Sequence, residues 1–274
     1  MKNLALRKLS LALQPDHLLV HHFIKTAGTS LREVLAAYAA AHGVSIQFVY
    51  KGNNTFEKKR PATILFGHHV TLDFHLQLPT TASHRYVTML REPFEWSMAF
   101  YFQFHRHPER PSARSWATRP VAAHMIEWLN ETIAQCPAIQ AWPRADGRRG
   151  CKSKMSYWLG SRQALSATRT PGCRGIVDVW VGSGALLLLT ERYAQSLELL
   201  SALLGTGRSA NPSLTPQPEA LNRRNDTFYA RPHAFAEAVA LSRLVQGTCM
   251  PDVYAAARRS FAGSWSNYQQ GLPV

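Results

Sequence analysis

Acidic side chains are scarce in this sequence. The 274 residues include 17 Asp and Glu against 31 Lys and Arg, which gives a formal net charge of +14. A surface this basic attracts polyanions such as nucleic acids, acidic polysaccharides, anionic membranes and phosphorylated cofactors. Hydrophobic residues make up 46% of the chain, which excludes a globally disordered protein and leaves enough apolar material for a sizeable core.

Cysteine and long hydrophobic runs are also scarce. The four cysteines form no CxxC pair, which argues against a structural zinc site. The apolar run Ala185–Leu189 is far too short to cross a bilayer. The basic segment Met1–Leu13 also has too short an apolar run and carries no small-residue cleavage site. These absences predict a soluble cytoplasmic protein without a membrane span.

Strand-like and helix-like patterns alternate along the first hundred residues. The predicted strands are Leu18–Ile24, Ile46–Tyr50, Ala62–His68 and Arg85–Leu90. A helix is predicted over Ser30–Ala41 and should end at Gly43. Such alternation is typical of an α/β fold with a parallel sheet flanked by helices, whose ligands bind beyond the carboxyl ends of the strands. The turns after the first, third and fourth strands should therefore converge on one site.

The later part of the chain has fewer strand patterns. Val177–Gly182 and Leu186–Thr190 are strand-like, and Glu191–Leu204 is an amphipathic helix pattern with Gly205 just past its end. The segment from about residue 219 to 274 is mainly helical, with a break near Gly247–Pro251. We therefore expect a single domain over residues 1–274, with a core at about 17–204 and a helical C-terminal extension.

The segment KTAGTS combines a lysine, hydroxyls and a glycine between a predicted strand and a predicted helix. It consists of Lys25, Thr26, Ala27, Gly28, Thr29 and Ser30. Backbone N–H groups at a helix N-terminus, with a lysine beside them, form an anion site. The segment is not a Walker A motif, which needs glycines before the lysine. An ordinary turn with Thr29 or Ser30 as the helix N-cap is the alternative.

The string FIKTAGTSL resembles the 5′-phosphosulfate loop of the carbohydrate sulfotransferases, whose usual form is HIPKTAGTS. Ile24 stands where that family has proline. The resemblance implies that the loop binds 3′-phosphoadenosine 5′-phosphosulfate (PAPS) as the sulfuryl donor. It also implies that Lys25 neutralises the leaving phosphate oxygen. No metal is expected, because the sequence has no obvious cluster of carboxylates to hold one.

The string REPFE, residues 91–95, follows a predicted strand and opens a predicted helix that runs to about His105. It resembles the family's 3′-phosphate motif, RDPxERxxSxY, and this implies that Arg91 grips the 3′-phosphate. Trp96 stands at the usual Arg and Ala99 at the usual Ser. Ser97 or a backbone N–H could replace that serine, or the phosphate could be held more weakly. A surface ion pair is the alternative role of Arg91.

The string FGHHV, residues 66–70, ends a predicted strand and is followed by LDF. It resembles the GHV…DF segment of the uronosyl 2-O-sulfotransferases, in which the histidine after glycine is the catalytic base. The resemblance implies His68 as the general base, with His69 as the alternative. Neighbours in an extended strand point to opposite faces, so only one of the two should face the acceptor. A hydrogen-bonded loop histidine is the non-functional alternative.

The basic loop after the REPFE helix is a candidate acceptor site, because the 2-O-sulfotransferases place acceptor-contacting basic residues there. The candidates in this loop are Arg106, Arg110 and Arg114, although a solvated basic loop is an equal alternative. His69 of the FGHHV segment is a further candidate for contact with the acceptor. Cys136 and Cys151 lie where those enzymes carry a disulfide-bounded loop, and free thiols stay open as well. The segment LTERY, residues 189–193, resembles a family segment of the form GLTERF and is interpreted as a mark of the family, not as a site.

The resemblance implies a PAPS-dependent sulfotransferase with a P-loop-like fold that acts on a carbohydrate hydroxyl. The basic charge and the His68 segment favour an anionic or uronic-acid-containing glycan, and no nucleic-acid partner is expected. A weakened family member that binds polyanions and a P-loop-like kinase are the alternatives. The Golgi lumen is the alternative location, if a membrane anchor is missing from this chain. The acceptor, the sulfated position and the oligomeric state are left open.

Overall fold

The computed structural model describes residues 15–23, 25–50, 62–72, 74–96, 99, 179–205, 239, 242 and 250–274 of the chain. Within these ranges the chain forms one five-stranded sheet with helices packed against it. No helix in these ranges is both long enough and apolar enough to span a membrane.

The sheet is parallel throughout. Its strands are β1 (His17–His21), β2 (Ile46–Phe48), β3 (Ile64–Gly67), β4 (His84–Leu90) and β5 (Leu186–Leu189). Their order across the sheet is β2-β3-β1-β4-β5, and every neighbouring pair is parallel. The predicted α/β class with a P-loop-like parallel sheet is confirmed. Since β1 lies between β3 and β4, the turns after these three strands emerge side by side at one edge.

Both faces of the sheet are covered. Every residue of β1, β3 and β5 is buried, which is the pattern expected of parallel strands that pack helices on both sides. This burial explains why the strands are visible in the sequence as continuous apolar runs. The polar groups of the site consequently lie beyond the strand ends and in the turns.

In the described part of the chain, the helices beside the sheet include α1 (Gly28–His42), α2 (Tyr193–Leu203) and α3 (Met250–Gln269). Helix α1 ends at Gly43 as predicted, because Gly43 adopts a left-handed φ of 65° that glycine tolerates. The Tyr38 hydroxyl of α1 donates a hydrogen bond of 3.2 Å to the Leu204 carbonyl, which ties α1 to the end of α2. Helix α3 packs against β5 and buries Val253 and Phe261.

The predicted strand Val177–Gly182 is wrong where the structure describes it, because residues 179–182 are helical. The Ser183 N–H donates to the Val179 carbonyl, and the Ser183 hydroxyl donates to the Trp180 carbonyl. This turn buries Trp180, which is 3% exposed and lies with its ring edge-on to Tyr86. Burial of one large ring therefore overrides the strand preference of a short β-branched run.

The strand and helix ends differ from the predicted ones in a way that matters for the site. Strand β1 ends at His21 and β3 at Gly67, and helix α1 begins at Gly28 and not at Ser30. The residue before the helix is Ala27, and no side chain caps the first turn, so neither Thr29 nor Ser30 is the N-cap. The residues left between these ends form the turns of the candidate site.

Candidate active site

The turn between β1 and α1 has an unusual backbone. Lys25 (φ 66°) and Ala27 (φ 59°) both adopt left-handed conformations, which cost a non-glycine residue about 1 kcal/mol or more. Alternating right- and left-handed residues direct successive N–H groups into one concavity that suits an anion. The first N–H groups of α1 also have no acceptor within the helix. The predicted anion loop thus has the backbone geometry that such a loop needs.

Within this turn the side chain of Thr26 has a structural task. It is 1% exposed, and its hydroxyl donates a hydrogen bond of 2.7 Å to the Phe23 carbonyl. This bond closes the turn on itself and holds the two left-handed residues in place. Thr26, a predicted PAPS-binding residue, therefore turns its hydroxyl toward the interior of the loop.

Gly28, the first residue of α1, lies directly beneath the imidazole of His22. A Cβ at position 28 would overlap that ring. The His22 ring is itself packed against Phe66, with 5.2 Å between ring centroids, and has little room to move. The glycine of the KTAGTS segment is thus required by the ring of a neighbouring histidine.

His68 lies in the turn after β3 and is bound to the end of β1. Its Nδ1 is 2.6 Å from the His22 carbonyl oxygen, and its ring stacks on the His22 ring with centroids 4.3 Å apart. A carbonyl only accepts hydrogen bonds, so Nδ1 carries the proton and Nε2 is the basic nitrogen of a neutral ring. Burial lowers the pKa of His68, the hydrogen bond to His22 partly opposes this, and His69 lowers the pKa further.

His69 follows His68 in the same turn, so the expectation that the two alternate across an extended strand is wrong. Strand β3 ends at Gly67, a position that requires glycine because a Cβ there would overlap the backbone carbonyl of Val49. The His69 N–H donates to that same carbonyl at 3.4 Å. Both histidines therefore lie in the turn that follows the strand, at the carboxyl edge of the sheet.

The turn after β4 carries Arg91, whose side chain is 12% exposed. Its Nη2 lies 3.1 Å from Oε2 of Glu95, so the predicted alternative of an ion pair is present in the structure. Glu92 caps the helical residues 93–96, because its carboxylate accepts the Glu95 N–H at 2.8 Å and its carbonyl accepts the Trp96 N–H at 2.8 Å. Arg91 therefore projects from a capped helix start beside the other two turns.

The two positions that depart from the family motif after Arg91 are both buried. Trp96 is 6% exposed and stacks on Phe23, with ring centroids 5.4 Å apart and planes inclined by 15°. This stack joins the turn after β4 to the turn after β1, so Trp96 replaces an arginine with an apolar link. Ala99 is also buried, which leaves its effect on the 3′-phosphate as a prediction.

The predicted convergence of three turns is confirmed by contacts between them. His68 bonds to His22, and Trp96 stacks on Phe23, so the turns after β3 and β4 both meet the residues that follow β1. The remaining predicted contacts lie outside the described residues. They are Ser97, Arg106, Arg110, Arg114 and the Cys136–Cys151 pair.

Comparison with solved structures finds a remote likeness. No protein-family profile matches the sequence, and no curated protein matches it. The crystal structure of mouse sulfotransferase SULT7A1 complexed with PAP is similar to this chain, at a TM-score of 0.39 and 16% sequence identity. The match covers 76% of this chain and 65% of the mouse chain. Less than two thirds of that neighbour is therefore spanned.

Sequence reasoning missed His22 and the buried His21 before it. Burial, together with a smaller effect of nearby histidines, lowers the pKa of both to about 3. Within the described residues, His21 Nε2 and His22 Nδ1 have no hydrogen-bond partner. The sequence shows two adjacent histidines before Phe23. Their proximity to His68 depends on the pairing of β1 with β3, which the sequence pattern does not indicate.

Tyr50 and Arg32 were also missed, and both lie beside the histidine stack. The Tyr50 ring is edge-on to His68, with centroids 5.2 Å apart. Burial raises the pKa of Tyr50, and Arg32 opposes that rise. Arg32 also lies close enough to His22 to lower its pKa. An aromatic side chain therefore lies beside the proposed base, and a cation lies near the histidine on which that base stacks.

Among the described residues, no group of three or more His, Cys, Asp or Glu side chains could hold a metal ion. The adjacent histidines His22 and His68 at the carboxyl edge form a stacked, hydrogen-bonded pair.

Proposed function

We propose that this protein is a sulfotransferase that transfers a sulfuryl group from PAPS to a hydroxyl of a carbohydrate acceptor. The observation that carries the proposal is the bond between His68 Nδ1 and the His22 carbonyl, three residues before Lys25. This bond supports a neutral His68 as the base beside the turn of residues 25–30, and an in-line transfer between a phosphorylated donor and a hydroxyl requires such a base.

The donor would bind across two turns. The N–H groups of residues 25–30 and the Lys25 ammonium would hold the 5′-phosphosulfate, and the Arg91 guanidinium would hold the 3′-phosphate. The fit rests on the left-handed Lys25 and Ala27 and on the adjacent ends of β1 and β4. For Arg91 to bind a phosphate, the phosphate must share or displace Glu95, because that carboxylate is its present partner.

PAPS would supply an activated sulfuryl group whose bond to the 5′-phosphate breaks as the acceptor oxygen bonds to sulfur. His68 Nε2 would take the proton from the acceptor hydroxyl during that attack. Lys25 and the loop N–H groups would stabilise the negative charge that develops on the departing phosphate oxygen. The proton would end on His68, the sulfuryl group on the acceptor oxygen, and the electron pair of the broken bond on the departing phosphate oxygen.

The acceptor would approach from the side of His68. We infer an anionic or uronic-acid-containing glycan, in line with the net charge of +14. His69, Arg106, Arg110 and Arg114 are proposed as its contacts, and the exposed Arg32 beside His22 could add a further cation. A single domain without a metal is part of the same proposal.

The test is thermal unfolding with 3′-phosphoadenosine 5′-phosphate (PAP), AMP or ATP with Mg²⁺. A ligand at a hundred times its dissociation constant stabilises the folded state by about 2.7 kcal/mol, which should raise the Tm by several degrees. We expect the largest rise with PAP, its loss in Lys25→Ala and Arg91→Ala, and no change in the control Arg259→Ala, an exposed residue of α3. A rise with ATP and Mg²⁺ alone would support a kinase, and no rise with any nucleotide would support a polyanion-binding protein.

A further inference from the structure

The turn that carries Arg91 is held from outside by the residues that follow β5. Leu90 and Leu189 are paired at the ends of β4 and β5, so the next residues of each chain segment run side by side. The Thr190 hydroxyl donates a hydrogen bond of 3.0 Å to the Leu90 carbonyl, and Glu191 Oε1 accepts a hydrogen bond of 2.7 Å from the Glu92 N–H. Two hydrogen bonds thus fix the backbone immediately before and after Arg91.

Glu191 takes a place that a residue of the local helix usually fills. In a capping box, the glutamate at the third helical position returns to the N–H of the capping residue. Here the cap is Glu92 and the third helical residue is Glu95, yet the Glu92 N–H goes to Glu191. The Glu95 carboxylate pairs with Arg91 instead, and its Oε2 accepts a hydrogen bond of 3.1 Å from Arg91 Nη2.

The other oxygen of Glu191 is fixed by the C-terminal helix. The Tyr254 hydroxyl of α3 donates to Glu191 Oε2 at 2.7 Å. Partial burial and this hydrogen bond raise the pKa of Tyr254, so the hydroxyl stays protonated and remains a donor. The Glu191 carboxylate consequently bridges α3 and the Arg91 turn with both of its oxygens engaged.

We propose that Glu191, oriented by Tyr254, is a positioning residue that sets the Arg91 guanidinium for the 3′-phosphate of the nucleotide. The proposal rests on the proposed function. Glu191 does not touch the nucleotide in this scheme. It acts through the Glu92 backbone, next to Arg91, to align the Arg91 side chain, and this gives the LTER segment a role in PAPS binding.

The test compares the dissociation constants of PAP and AMP, which differ by the 3′-phosphate, by titration calorimetry. The discrimination ratio is the Kd of AMP divided by the Kd of PAP. Because a hydrogen bond to a charged group commonly contributes a factor of about ten or more, Glu191→Ala should lower this ratio by about tenfold. The AMP affinity should stay within about twofold of the native value. Tyr254→Phe should lower the ratio less, and Glu191→Gln should restore part of it.

The matched control is Glu198→Ala, which removes the same charge from an exposed position on α2. It should leave the ratio unchanged. Equal losses of PAP and AMP affinity in Glu191→Ala would show a general structural role and overturn the proposal. If Glu191→Ala does not fold, an unchanged ratio in Tyr254→Phe overturns it instead.

The result for Arg91→Ala separates this proposal from the proposed function. If the native protein prefers PAP and Arg91→Ala removes the preference, the donor site stands and only the Glu191 variants decide the inference. If the native protein binds PAP no better than AMP, the donor site and the inference fail together.

Discussion

At the scale of single residues, the tautomer of His68 is the feature on which the proposed chemistry depends. The His22 carbonyl accepts from Nδ1 at 2.6 Å, so the basic lone pair is on Nε2. Burial lowers the pKa of this ring, which keeps it neutral below the ordinary histidine range. A base of this kind remains active as the pH falls and is lost only when the pH passes below its lowered pKa.

We expect His68→Ala to lower kcat by about a hundredfold or more, which is the usual contribution of a general base. PAP affinity should be nearly unchanged, since the side chain acts on the acceptor hydroxyl. For the proposed activity of the native protein, the acidic limb of kcat/KM should lie below pH 6.5, the ordinary value for histidine. Steady-state kinetics with a uronic-acid polysaccharide would measure both.

His69→Ala is the discriminating variant for the same experiment, because His69 occupies the next position in the turn. It should retain most of the turnover and change KM for the acceptor instead. A larger fall in kcat for His69→Ala than for His68→Ala would transfer the role of base to His69.

At the scale of secondary-structure elements, the start of α1 is set by packing as well as by the turn. The His22 ring lies over Gly28, between Phe66 and His68. No side-chain cap compensates for the open first turn of the helix. The N-terminus of α1 therefore depends on Gly28, because the His22 ring occupies the space that a side chain at this position would need.

Gly28→Ala should destabilise the protein by about 1–3 kcal/mol, because the new methyl group must displace a confined ring. Gly263→Ala is the matched control in α3, where nothing lies within 4 Å of the added Cβ. That change should stabilise the protein by about 0.5–1 kcal/mol through helix propensity. Chemical denaturation measures both, and equal stability of Gly28→Ala and the native protein would refute the proposed packing.

At the scale of the whole molecule, two buried neutral histidines make stability depend on pH. The folded protein keeps His21 and His22 unprotonated down to a pKa of about 3, whereas the unfolded chain titrates near 6.5. Below pH 6.5 the unfolded state therefore binds protons that the folded state does not. The free energy of unfolding falls as the pH drops from about 6.5 toward 3, and these residues cause no change above that range.

We expect each of the two histidines to lower the free energy of unfolding by about 1.4 kcal/mol per pH unit in that range, hence by about 2 kcal/mol each at pH 5. Urea denaturation at about pH 7.5 and about pH 5 measures the difference. His21→Gln should remove about half of it, and the exposed control His42→Gln should leave it intact. Equal stability of the native protein at both pH values would contradict the burial of neutral histidines.

Much of the architecture follows from local pattern. Apolar runs predicted all five strands of the described sheet, and Gly43 correctly ended α1. The alternation of strands and helices also predicted that the turns after β1, β3 and β4 would meet. The pattern failed at residues 179–182, where burial of Trp180 decided the conformation.

The sequence by itself determined which chemical groups stand at the carboxyl edge: Lys25, His68 and Arg91 each follow a strand that is readable from its apolar run. Only the tertiary structure decided how they are held. His68 bonds across 46 positions to His22, and Glu92 across 99 positions to Glu191. Such contacts depend on the order and register of the strands, which local periodicity does not encode.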